Sequence, residues 1–132
     1  MSQLLLDSGP VILHLRGHQR TVRLIRELSP INRLIISAVT RLEVRARMQP
    51  TERFATQKLL SRFMSYDFDK DCADRAGDLI NMLRQRNISV AVPDAMIAAT
   101  ALVHNLTLVT FNRAHFAVIP GLSLYPLPED EN

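Results

Sequence analysis

Cysteine is nearly absent from this sequence: Cys72 is the only one among 132 residues. A lone cysteine excludes an internal disulfide framework and a cysteine-based zinc site, and we expect Cys72 to be a small buried residue on a helix. The first residues, MSQLLLDSGPVI, lack the basic start and long apolar run of a signal peptide. No stretch approaches the ~20 apolar residues that a membrane span requires. The sequence therefore predicts a protein of the reducing cytoplasm that has no membrane segment.

Several common functional motifs are also missing. The sequence has no glycine loop for phosphate, no nucleophile elbow and no histidine spacing suited to zinc. The four histidines fall in predicted helices or at helix ends, so we assign them no catalytic role: His14, His18, His104 and His115. These absences leave oxygen-rich side chains as the candidates for chemistry.

Charge is present but unevenly distributed along the chain. Fourteen of the 16 basic residues are arginine, and residues 1–53 hold nine arginines against four acids. The remainder holds seven basic residues against nine acids. Arginine suits planar, bidentate contact with phosphate. On composition alone, however, a solvated and salt-bridged helical surface is favoured over nucleic-acid binding.

Length and composition predict one domain. A chain of 132 residues, 47% of them hydrophobic, can form one hydrophobic core of ordinary size. We expect a single domain over residues 1–127. The remaining residues, 128–132, are predicted to be a short acidic, solvated tail.

Short apolar runs alternate with amphipathic segments. Strands are predicted at residues 3–6, 34–37 and 106–110, with a weaker candidate at 66–69. Helices are predicted from Pro10 to Gly17, at 19–28, around Cys72 to Leu83, and at 94–103. Two further helices are predicted, one that begins at a capping Thr40 and one that begins at Pro50 and has Phe54 in its core. This alternation predicts an α/β fold with a mostly parallel sheet and helices on both faces.

Four polar residues fall where strands end or helices begin. Asp7 ends the first strand and Glu43 lies in the helix after the second. Asp94 begins the helix before the last strand, and Asn112 follows that strand. Because sites in parallel sheets form outside the carboxyl ends of the strands, we expect these side chains to converge there.

Each of these residues alone has a structural explanation. Asp7 could form an Asx turn, Asp94 could cap its helix, and Glu43 could pair with Arg47. Asn112 could stabilise a loop. Gathered together, however, carboxylates repel one another and raise at least one pKa unless a cation neutralises them. Such oxygen ligands suit Mg²⁺ or Mn²⁺, which can activate a water for attack on a phosphodiester.

Three blocks of the sequence resemble PIN-domain nucleases, and within them the VapC-type toxins of prokaryotic toxin–antitoxin pairs. The blocks are LLLDSGPVILHLRG, ISAVTRLEVR and VPDAMIAATALVHNLTLVTFNRAHFAVIPGL. The resemblance runs from about residue 4 to residue 125. It implies a three-layer PIN-like fold and a metal-dependent endoribonuclease that uses Mg²⁺ or Mn²⁺ to hydrolyse RNA. It also implies a homodimer and a cognate antitoxin protein as partner.

The resemblance assigns roles to individual residues as well. Asp7, Glu43 and Asp94 match the metal-holding carboxylates of the family. Asn112 falls where family members have Asp or Asn, and it would help to position metal, water or substrate. The two hydroxyl residues that match family positions are interpreted as supports for the ligands: Ser8 and Thr110.

Two departures from the family pattern keep alternatives open. Asn112 leaves three carboxylates rather than four, so one metal ion fits as well as two, and Gly9 stands where a polar residue is common. Both departures suit a non-catalytic PIN-like module that binds RNA or a partner protein. A third hypothesis is an unrelated α/β domain that binds a phosphorylated small molecule at the same sheet edge.

Overall fold

The structure, a computed structural model, describes residues 2–127, so the tail predicted at 128–132 lies outside the described residues. The strands are β1 (Ser2–Leu6), β2 (Asn32–Ser37), β3 (Met64–Tyr66) and β4 (Thr107–Val109). The helices are α1 (Ser8–Leu15), α2 (Gln19–Leu28), α3 (Ala38–Arg47), α4 (Arg53–Leu60), α5 (Lys70–Gln85), α6 (Val92–His104) and α7 (Arg113–Phe116). A 3₁₀ turn, Pro50–Glu52, precedes α4. Within residues 2–127, no helix is both long and apolar enough to span a bilayer.

The four strands form one sheet in the order β3-β2-β1-β4, and each neighbouring pair is parallel. The central strand β1 pairs Leu6 with Ile36 on one side and with Val109 on the other. An unalternated apolar run suits this position, because a central parallel strand is covered on both faces. The predicted α/β fold with a parallel sheet is confirmed.

Two hydrophobic clusters lie on opposite faces of the sheet. In one, Leu5 of β1 packs with residues of α5 and α6 such as Leu83 and Ile97. In the other, Leu6 of β1 packs with residues of α1, α2 and α4 such as Val11 and Leu60. Successive side chains of a strand point to opposite faces, so a three-residue leucine run serves both clusters. This arrangement is the predicted three-layer architecture.

The cap of α3 differs from the prediction that Thr40 caps this helix. Ser37, the last residue of β2, is the N-cap, and its Oγ accepts the Thr40 N–H at 3.0 Å. The hydroxyl of Thr40 is buried and instead contacts the Leu6 carbonyl oxygen at 3.3 Å. The helix therefore begins directly at the end of the strand, three residues earlier than predicted.

The predicted core position of Phe54 is wrong. Phe54 lies in the first turn of α4 and is 78% exposed. The buried face of this helix consists of Thr56, Leu59 and Leu60. These residues are spaced by three and four along the helix, and residue 54 falls outside that stripe. The weak strand predicted at 66–69 lies earlier in the chain, at Met64–Tyr66.

Candidate active site

Asp7 lies at the carboxyl end of the central strand. Its backbone N–H donates to the Val109 carbonyl at 3.0 Å, which extends the β1–β4 pairing and sets Asp7 beside Thr110. The Thr110 hydroxyl donates to Asp7 Oδ2 at 2.7 Å, and the Ser8 N–H donates to Asp7 Oδ1 at 2.8 Å. Asp7 is also the N-cap of α1 and is only 4% exposed. The carboxylate is thus fixed in one orientation.

Asn112 is connected to Asp7 through Thr110. The backbone N–H of Asn112 donates to Thr110 Oγ1 at 3.0 Å, so this hydroxyl accepts one hydrogen bond and donates another. Within residues 2–127, the side chain of Asn112 makes no hydrogen bond to the three predicted carboxylate ligands. Its backbone lies beside Thr110, while its side chain is exposed.

Glu43 lies on α3, the helix that starts beside Asp7 because β2 and β1 are paired in parallel. Burial raises the pKa of Glu43 above its ordinary value, and a hydrogen bond from the Ser8 side chain lowers it. The carboxylates of Asp7 and Asp94 raise this pKa further, and the Arg47 guanidinium lowers it. The net shift is upward, so Arg47 does not compensate for burial and for the other two acids.

Asp94 lies in the first turn of α6, where a carboxylate is favoured by the helix dipole. It is not the N-cap, because Ala91 holds that position and makes no side-chain cap hydrogen bond. Burial raises the pKa of Asp94, the Asp7 carboxylate raises it further, and His115 lowers it. The structure therefore brings Asp94 and Glu43 under the electrostatic influence of Asp7.

His115 is a neighbour of this group that the sequence interpretation missed. Its Nδ1 lies 3.7 Å from Asp94 Oδ2, while its side chain is 66% exposed. It lies on α7, which begins directly after Asn112 and is anchored by the buried Phe116. The His115-Phe116 pair in the sequence was the one indication that His115 is near the site. Sequence spacing alone could not show that α7 faces the first turn of α6.

The donor chemistry of the site fits a hydrated magnesium or manganese ion. Within residues 2–127, no three His, Cys, Asp or Glu groups are close enough to hold a metal ion directly. Mg²⁺ is usually bound by one or two carboxylates and keeps several waters, so it does not need such a cluster. The mutual repulsion of Asp7, Glu43 and Asp94 is the feature that a bound cation would relieve.

Comparison with known proteins identifies the family. The family model described as "PIN domain" matches residues 4–122. The chain belongs to the PIN-domain family. The matched segment includes all four predicted ligand positions, Asp7, Glu43, Asp94 and Asn112, together with every element from α1 to α7.

Similar proteins and structures come from several bacteria. The chain is 33% identical over 119 residues to Ribonuclease VapC10 of Mycobacterium tuberculosis, which covers 90% of each chain. It superposes on the DNA-bound VapBC crystal structure from Salmonella typhimurium with a TM-score of 0.82, at 25% identity over 95% of this chain and 98% of the other. A toxin–antitoxin complex from Klebsiella pneumoniae gives a TM-score of 0.75, at 29% identity over 94% and 99% of the two chains.

Proposed function

We propose that the protein is a metal-dependent endoribonuclease and the toxin of a toxin–antitoxin pair. The observation that carries the proposal is the position of Asp7 at the carboxyl end of β1, where burial and the nearby Asp7 carboxylate raise the pKa values of Glu43 and Asp94. The similarity to ribonucleases such as VapC10 supports RNA as the substrate. Nine arginines in residues 1–53 fit a surface that faces phosphate.

Asp7, Glu43 and Asp94 would hold Mg²⁺ or Mn²⁺, with Asn112 assisting. When bound, such an ion lowers the pKa of a coordinated water and shields the charge that builds on the phosphate oxygens. The chain's own contribution is orientation. The Thr110 hydroxyl holds one oxygen of Asp7, and the Ser8 side chain lowers the pKa of Glu43, which favours its charged form. Supports of this kind keep ligand oxygens in place before the ion arrives.

We also propose an antitoxin protein as a partner and a homodimer as the assembled state. The structural similarity to a toxin–antitoxin complex from Klebsiella pneumoniae, over nearly the whole of both chains, supports the antitoxin. Such a partner would restrain the nuclease until it is released. The purified chain must therefore be free of any antitoxin before its activity is measured.

The proposal is tested by an RNA cleavage assay with controlled metal content. We expect the purified chain to cut RNA with Mg²⁺ or Mn²⁺ and to stop when EDTA is added. Asp94→Asn should abolish cleavage and leave the circular dichroism spectrum unchanged. Asp74→Asn, which neutralises an exposed acid on α5, is the matched control and should cut normally.

One outcome would favour the non-catalytic alternative. RNA binding that weakens with salt but is unaffected by EDTA, with no cleavage under either metal, would identify a binding module. The same result would remove the proposed role of the three carboxylates in catalysis.

A further inference from the structure

Phe111 lies between two residues of the candidate active site. It separates Thr110, which hydrogen-bonds to Asp7, from Asn112, whose N–H donates to Thr110. These two hydrogen bonds fix the backbone on either side of Phe111. The backbone position of Phe111 is therefore set by the same contacts that orient the carboxylate.

The ring of Phe111 extends towards the first turn of α1. Its Cδ2 lies 3.9 Å from the position that a Cβ on Gly9 would occupy. Gly9 comes two residues after Asp7 and has no side chain, so it leaves the adjacent part of the ring uncovered. The phenyl group is consequently at the rim of the carboxylate site and 42% exposed.

Phe111 belongs to neither hydrophobic cluster of residues 2–127. The sequence has five phenylalanines and two tyrosines and lacks tryptophan. Among residues 2–127, Phe54 and Phe111 are the aromatic members of the set of exposed large hydrophobic side chains. Phe116, which follows on α7, is 1% exposed and belongs to the core. Packing alone therefore does not account for an aromatic ring at position 111.

We infer that Phe111 is a substrate-binding residue on which one unpaired base of the RNA stacks beside the cleaved phosphodiester. Every nucleobase has a π-face, and proteins that bind single-stranded nucleic acid stack bases on aromatic side chains. The carboxylate site that would act on the phosphate lies next to the ring, and a base flanking that phosphate can reach it. The inference rests on the proposed ribonuclease function.

The test pairs a change in the protein with a change in the RNA. Wild-type protein and Phe111→Ala are assayed on one single-stranded oligonucleotide and on versions with one abasic nucleotide placed at each position around the cut. We expect Phe111→Ala to lower kcat/KM about tenfold on the intact RNA, within the range of roughly 5- to 150-fold that loss of one stacked base produces. One abasic position should lower wild-type kcat/KM by the same factor.

The two losses should not multiply if the base and the ring contact each other. We therefore expect Phe111→Ala to cut the RNA that carries this abasic position as fast as it cuts intact RNA. Phe111→Tyr should keep most of the activity because it keeps the ring. Phe111→Leu keeps an apolar side chain without a π-face, and it should behave like Phe111→Ala.

Phe54→Ala is the matched control. Phe54 is an exposed phenylalanine in the first turn of α4. The 3₁₀ turn just before it contains Glu52, which contacts Arg16, the residue that follows α1. The eight-residue helix α1 starts at the site and spans about 12 Å, so this contact lies at the opposite end. Phe54→Ala should match wild type on every oligonucleotide.

The possible results separate the two proposals. If wild-type protein cuts RNA but Phe111→Ala cuts equally well, or if the protein and abasic losses multiply, Phe111 does not stack on a base. A wild-type protein that cuts no RNA with either metal overturns the proposed function, and with it the assignment of Phe111.

Discussion

At the scale of single residues, the Thr110 hydroxyl makes two hydrogen bonds that a replacement side chain would have to reproduce. Its hydroxyl donates to Asp7 Oδ2 and accepts the Asn112 N–H, and the residue is 1% exposed. Replacing the hydroxyl with a methyl group would leave a buried carboxylate oxygen and a backbone N–H without partners. Each such unsatisfied group carries a desolvation penalty of about 1–3 kcal/mol.

We predict that Thr110→Val lowers both stability and cleavage. The free energy of unfolding should fall by about 1–3 kcal/mol, and kcat/KM should fall roughly 10- to 100-fold because the ligand loses its support. Thr110→Ser keeps the hydroxyl and should retain most of the wild-type activity. Thr100→Val is the control for cleavage, because the buried Thr100 hydroxyl donates to the Met96 carbonyl within α6 and to none of the candidate ligands. Equal cleavage by Thr110→Val and wild type would contradict the supporting role.

The raised pKa values of Glu43 and Asp94 predict how the metal-free protein responds to pH. Burial and neighbouring carboxylates raise both pKa values in the folded state. The folded protein therefore holds these protons more tightly than the unfolded chain does. The stability from this source is present at low pH, and it is lost as pH rises from the ordinary values of 3.8 for Asp and 4.5 for Glu through the raised values.

We predict that Asp94→Asn restores part of the stability that the metal-free protein loses as pH rises. In EDTA at pH 7 its melting temperature should exceed that of wild type by about 3 °C, since relieving one such repulsion contributes roughly 1 kcal/mol. The difference should shrink as the pH falls towards 4. Scanning calorimetry across this range measures it, with Asp74→Asn as the exposed control. A lower melting temperature for Asp94→Asn at every pH would show that this carboxylate stabilises the fold.

Sequence reasoning could find the candidate ligands but not their neighbours. Asp7 follows an apolar strand, and Asp94 precedes an apolar helical segment, so topology alone indicates a common edge. His115 and Phe111 depend on how the chain turns after β4, which is determined by side-chain contacts distant in sequence. The sequence also could not show where the Asn112 side chain points. Asn112 is the N-cap of α7, so its surroundings depend on how α7 packs and not on its distance along the chain from Asp7.

At the scale of elements, the start of α3 determines the position of Glu43. Ser37 is both the last residue of β2 and the N-cap of α3, and the Thr40 hydroxyl donates to the Leu6 carbonyl of β1. The sequence prediction placed the cap at Thr40, but Ser37 is an equally favoured N-cap residue type, and strand pairing is what distinguishes the two.

We predict that Ser37→Ala destabilises the protein by about 1 kcal/mol, the typical contribution of an N-cap side chain. It leaves the buried Thr40 N–H without its acceptor and loosens the first turn of the helix that carries Glu43. Ser61→Ala is the control, because the exposed Ser61 hydroxyl bonds the Lys58 carbonyl at the end of α4 and should matter by less than about 0.5 kcal/mol. Urea unfolding measures both, and equal midpoints for Ser37→Ala and wild type would contradict the capping role.

At the scale of the whole molecule, the all-parallel sheet determines where the functional groups meet. The alternation of apolar runs and amphipathic helices was sufficient to predict an α/β sheet, and this prediction is confirmed. The strand order β3-β2-β1-β4 was not predicted, since pairing between distant segments leaves no local signature. β1 lies between β2 and β4, so Asp7 is adjacent to both the start of α3 and Thr110.

The most direct test is the binding of Mn²⁺ without RNA, measured from the free-ion signal in electron paramagnetic resonance. We predict that wild-type protein and Asp74→Asn bind Mn²⁺ with the same affinity. Asp94→Asn should bind at least about tenfold more weakly, because one of the coupled carboxylates has lost its charge. Equal Mn²⁺ affinity for wild type and Asp94→Asn would contradict a metal site built on these carboxylates.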